Sequence, residues 1–68
     1  MDLMTEAFIK WNEMGNNIKS YDDENDNYII SFVNSKTGET EGKITVYKGQ
    51  GIGWNLPKSL NPNLSAEV

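Results

Sequence analysis

The chain contains no cysteine, no histidine and no arginine. Without cysteine there is neither a disulfide nor a thiolate metal site. Without histidine the usual general base near neutral pH is missing, and so is the commonest nitrogen ligand of transition metals. Without arginine there is no bidentate fork to read phosphate or guanine. Six lysines carry all the positive charge against ten acids, for a net charge of −4. That balance opposes a nucleic-acid backbone unless the lysines cluster. No apolar run approaches the ~20 residues of a membrane span. Asp2, Glu6 and Lys10 interrupt the first apolar residues, so a secretory signal is not expected. The expected setting is the cytoplasm, or the host cytoplasm if a phage encodes the chain. Nine asparagines and six lysines with no arginine match the AT-rich coding of low-GC bacteria and their phages.

With 68 residues there is room for one domain and one small core. Such a chain buries only about 60% of its unfolded surface, and a stability of roughly 3–5 kcal/mol is expected. Packing, self-association or a bound partner must supply what a disulfide cannot.

The expected fold class is α+β: one N-terminal amphipathic helix packed on a three- to four-stranded antiparallel meander. A helix is predicted over residues 2–14, with Asp2 as N-cap. At ~100° per residue, Leu3, Met14, Ala7, Trp11, Met4 and Phe8 fall within an arc of about 140°. Ile9 lies on the opposite side and is a candidate partner contact. Gly15 supplies a left-handed C-cap. The period then drops to two. Strands are expected at about 17–21, 28–34, 42–48 and 52–56, with Gly38 and the run Gly49-Gln50-Gly51 between them. The helix stripe is expected to bury against Ile30, Phe32, Ile44, Val46 and Trp54. The domain is read as residues 1–56. Residues 57–68 form a tail, free or docked on the domain or on a partner, in which Asn61-Pro62 can cap one helical turn and Leu60, Leu64 and Val68 are spaced by four.

The acidic stretch 22–27, all Asp, Glu or Asn, invites a calcium reading. Counted from Asp22, an EF-hand loop places Asp22, Glu24 and Asp26 at its first three ligand positions. Its twelfth position is Val33, which removes the bidentate carboxylate. The following residues read as a strand where a helix is required. Asp and Asn also bond their own backbone in tight turns, so a polar hairpin turn is the expected structure. Asp22, Glu24 and Asp26 remain weak cation candidates.

Enzyme chemistry finds little to work with. Ser20, Ser31 and Ser35 have no base to activate them. The pairs Asp22/Asp26 and Glu39/Glu41 sit in solvated turns, which lack the enclosed setting that acid–base catalysis by paired carboxylates needs. The segment GQGIG, residues 49–53, lacks the Gly-Lys-Ser/Thr ending of a phosphate loop. No cofactor is implied. The expected function is that of a small acidic, non-enzymatic protein–protein interaction module, either an accessory or inhibitor protein of bacterial or phage type or a self-associating chain. The reason is that Tyr28–Asn34 and Gly42–Lys48 are apolar on both faces, while only one helix is available to cover them. Ile29, Val33, Tyr47 and Tyr21 are the candidate contacts on the uncovered face. The runner-up is a sheet that binds nucleic acid through Tyr or Trp with Lys43 and Lys48.

Overall fold

A computed structural model describes the backbone of residues 2–63 and the side chains of residues 2–60. One helix, α1 (Leu3–Glu13), precedes four strands: β1 (Asn17–Asp22), β2 (Tyr28–Val33), β3 (Thr40–Val46) and β4 (Ile52–Asn55). A short 3₁₀ helix (Lys58–Asn63) follows them. The strands form one antiparallel sheet in the order β1-β2-β3-β4, an uninterrupted meander under the helix.

Local chemistry sets the ends of α1. Asp2 accepts a hydrogen bond of 2.7 Å from the Thr5 N–H and caps the N-terminus. That bond, with a further contribution from the Thr5 side chain, holds the Asp2 carboxyl below its ordinary pKa. At the other end the Asn16 N–H donates to the Trp11 carbonyl and the Gly15 N–H to that of Asn12. With Gly15 at φ +85°, this is a Schellman closure. Ser35 fastens the closure to the β2–β3 turn, its hydroxyl donating to the Gly15 carbonyl and its N–H to Asn16 Oδ1.

The helix crosses the sheet diagonally. Trp11, near its C-terminal end, donates Nε1–H to the carbonyls of Asn17 at 2.8 Å and Val33 at 3.2 Å, which places it over the β1/β2 side. Leu3 and Met4, at its start, lie beside Ile52 and Trp54 of β4. Ala7, Trp11, Ile30, Phe32, Ile44 and Leu60 make the core, and Leu3, Met4, Phe8, Ile18 and Leu56 pack around it. The Trp11 ring meets Phe32 edge-on at 81°, with centroids 5.9 Å apart. The stripe read from the sequence therefore does its work through Ala7 and Trp11. Met14 lies at the C-cap and is exposed.

The C-terminal segment extends the domain past the expected boundary at residue 56, residues 57–60 docking on it. Pro57 and Leu60 are fully buried, and Leu60 joins the core. Gly42 makes this possible. A Cβ there would sit 2.6 Å from both the Asn55 carbonyl oxygen and Pro57 Cδ, so only glycine lets the chain leaving β4 cross β3 this closely. The helical turn begins at Lys58, ahead of the expected Asn61-Pro62 start. Leu64 and Val68, read as a continuation of the Leu60 spacing, lie outside the described residues. β3 also begins at Thr40, two residues before the expected Gly42, because a bulge at Phe32/Val33 shifts the register there.

Candidate functional site

The acidic stretch is a hairpin turn. Asp22 pairs with Tyr28 at the end of the β1/β2 ladder. Between them, Asp23 turns its carboxylate onto its own loop, accepting from the N–H groups of Asn25 at 2.8 Å and Asn27 at 2.9 Å. The Asn27 bond first, and the Asn25 bond and Asn27 side chain after it, hold the Asp23 carboxyl below its ordinary pKa. Asp26 takes the left-handed conformation at φ +63° and lies 3.6 Å from the Lys48 ammonium. Asn27 Oδ1 also accepts from the Lys48 N–H at 3.0 Å, tying this turn to the β3–β4 turn. Of the cation candidates, Asp22 ends β1, Glu24 points into solvent and Asp26 faces Lys48. Among the described residues, no three carboxylates are grouped as a cation would need.

Pairing defines the two sheet faces. Ile18, Ile30, Phe32 and Ile44 line the helix side, with Tyr28, Val46, Ile52 and Trp54 in the same rows. The opposite side carries Val33, paired with Asn17 and Thr40, and two longer rows. One runs Lys19–Ser31–Lys43–Asn55 and the other Tyr21–Ile29–Thr45–Gly53. No helix covers this side among the described residues. Ile29 and Val33 are nevertheless only 7% and 8% exposed, although neither belongs to the core under the helix. On a central strand, neighbouring side chains and backbone suffice to shield a β-branched residue. Ile29 and Val33 therefore do not form an open patch. Tyr21 remains 47% exposed beside Ile29, and Ile9 is exposed on the outer side of α1.

Tyr47 has a structural role. A Cβ at Gly53 would meet its Cε2 and hydroxyl oxygen at 3.0 Å, so the ring lies against the glycine of β4 and fills the space a side chain would occupy. Its other side is open, leaving Tyr47 48% exposed.

The sequence reading missed the corner at which the helix begins. Trp54 is expected under the helix, and Ile52 shares its face of β4. Ile52 and Trp54 are 42% and 44% exposed, because α1 starts at this corner and runs away from it toward β1. With Leu3, Met4 and the Asp2 cap they line an open apolar groove of about 270 Å³. The groove is below the ~300 Å³ at which small-molecule pockets begin. Two sequence signals bear on this corner. The last strand of a meander is an edge, and residues 49–57 contain no charge to blunt it.

The register also settles how the backbone of β4 is used. The Tyr47 N–H donates to the Gly51 carbonyl at 3.1 Å, closing the β3–β4 turn. Antiparallel pairs alternate from there, so Gly53 and Asn55 bond inward to Thr45 and Lys43. Ile52 and Trp54 consequently direct their N–H and C=O groups out of the sheet. The same two residues thus present exposed apolar side chains and backbone groups that no described residue pairs.

No protein-family model, curated protein or solved structure matches the chain. Among the described residues, no helix is long and apolar enough to cross a membrane.

Proposed function

We propose that this chain is a small acidic, non-enzymatic protein–protein interaction module that docks through the β4 corner, acting as an accessory or inhibitor protein in a reducing cytoplasm. One observation carries the reading. Tyr47, Ile52 and Trp54, three of the large exposed hydrophobic residues, converge on one sheet edge whose outward backbone groups meet no partner among the described residues. An edge this apolar and uncharged is normally blunted by lysine, proline or a covering loop. Left open, it suits a partner that adds a strand or seats side chains in the groove of Leu3, Met4, Ile52 and Trp54. Aromatic residues with a shielded base are the usual anchors of such contacts.

The test is differential capture in the native host. The Trp54→Glu variant, folded by circular dichroism, should lose a partner that wild type and an Ile9→Glu control both retain, another copy of the chain counting as a partner. Identical capture by wild type and Trp54→Glu would refute the β4 corner as the docking surface.

A second reading has its own observation. Lys19, Lys43, Tyr21 and Tyr47 share the side of the sheet without a helix, a lysine row beside exposed aromatic rings. Single-stranded nucleic acid uses such surfaces, bases stacking on rings and phosphates meeting lysine. The net charge of −4 opposes it. A gel shift at ~0.15 M salt that is abolished by Lys43→Glu and spared by Trp54→Glu would favour this reading over the first.

A further inference from the structure

We propose that the open edge of β4 pairs antiparallel with the same edge of a second copy, across a twofold axis at Gly53, so that one sheet runs through both molecules. The inference rests on the interaction reading above and names its partner. The argument begins with register. The outward backbone groups belong to Ile52 and Trp54, which lie symmetrically on either side of Gly53. An isologous interface requires that residue i meet j while j meets i. Here Ile52 of each copy falls opposite Trp54 of the other as a hydrogen-bonded pair, and the two Gly53 residues face one another as a non-hydrogen-bonded pair. Such a pair brings the backbones to about 4.5 Å between Cα atoms, where side chains are most crowded. Glycine is the residue that removes the crowding.

Both faces of the edge agree with this. On the helix side, each Trp54 ring gains the Ile52 of the second copy, and the groove beside Leu3 and Met4 extends across the axis. On the other side, each Tyr47 ring already lies against its own Gly53, so the axis brings the two rings together. The three residues left exposed at this edge are therefore covered by one symmetry operation.

Charge permits the approach despite the net −4. Residues 49–57 carry no charge, and of the flanking lysines Lys48 is already faced by Asp26. The other sheet edge, β1, carries Lys19 and Asp22, charges of the kind that discourage strand addition. A partner recognised by charge would need a charged rim, and the groove supplies only Asp2, already committed to the Thr5 N–H. Since β4 has four residues, the contact is small and the dimer concentration-dependent.

The experiment is sedimentation equilibrium from about 10 μM to about 1 mM, the range suited to small interfaces of modest affinity. It uses the full chain, the Trp54→Glu variant and a synthetic chain N-methylated at Trp54. N-methylation removes one outward N–H and leaves the inward ladder to β3 intact, and circular dichroism checks the fold of both altered chains. Wild type should approach the mass of two chains. Each alteration should raise the dissociation constant about tenfold or more. In a mixed sample of isotope-labelled and unlabelled copies, Gly53 Hα should contact Gly53 Hα of the second copy. A wild type that stays monomeric at about 1 mM refutes the pairing, as does a dimer indifferent to N-methylation. If that monomer still loses a host partner on Trp54→Glu, the twofold pairing falls while the interaction reading stands. If capture is also unaffected, both fall.

Discussion

Replacing Trp11 tests how the domain is held together. The side chain is 1% exposed, meets Phe32 edge-on, and donates Nε1–H to two carbonyls on different strands. Trp11→Ala removes the largest buried side chain and opens a cavity between helix and sheet. Large-to-small changes of this kind cost about 3–5 kcal/mol, comparable with the roughly 3–5 kcal/mol expected for a domain of this size. The alanine variant should be largely unfolded at room temperature. Trp11→Phe separates packing from hydrogen bonding. It keeps most of the ring but loses the shared N–H bond, which contributes about 1 kcal/mol. The smaller ring leaves a void, bringing the expected loss to about 2 kcal/mol. Urea unfolding followed by far-ultraviolet circular dichroism measures both variants, because Trp54 complicates a fluorescence readout. A small domain has a slope near 1 kcal/mol per molar urea, so the phenylalanine variant should unfold about 2 M earlier than wild type. If Trp11→Ala stays folded with a loss under about 1 kcal/mol, the helix–sheet core described here is wrong.

Leu60→Ala should destabilise the domain by about 2–5 kcal/mol, since Leu60 is fully buried in the core; a change within experimental error in urea unfolding would show that residues 57–63 are a tail after all. Gly42→Ala should cost about 1–3 kcal/mol in the same assay, because Asn55 and Pro57 leave no room for a methyl group. Acid should weaken the β1–β2 turn. The Asp23 pKa is lowered on folding, so its contribution is present above the ordinary aspartate value of 3.8 and is lost as pH falls through the lower folded value. Asp23→Asn should therefore flatten the acid limb of a pH–stability curve, and an unchanged limb would remove Asp23 as a contributor.

The helix and the hairpins were legible because each has a local cause. Asp2, the apolar stripe and Gly15 define α1, and the period-two runs between polar turns define the strands. The side of the sheet that faces the helix was legible too, through Ile30, Phe32 and Ile44. What stayed hidden depends on distant contacts. Leu60 recurs with Leu64 and Val68 at a spacing of four, but that spacing alone does not say what such a stripe packs against. Its place becomes clear only once Pro57 is seen crossing Gly42. Ile29 and Val33 read as exposed because alternation assigns a side chain to a face without saying how far its neighbours lean over it. Trp54 read as buried for the converse reason. Its face is the helix side, but the helix runs diagonally and leaves that corner open. Tyr47 was named for its exposure, while its packing on Gly53 emerges only from the β3/β4 register.

Amide hydrogen exchange at single-residue resolution, measured as a function of protein concentration, tests the β4 edge most directly. In dilute solution the amides of Gly53 and Asn55 should be protected by their bonds to β3, while those of Ile52 and Trp54 exchange as open edge groups. As concentration rises, Ile52 and Trp54 should gain protection together, with no comparable change at Ile18 or Ser20 on the β1 edge. Free exchange at Ile52 and Trp54 at every concentration, or protection that grows on β1 instead, would contradict β4 as the edge through which this chain pairs with itself.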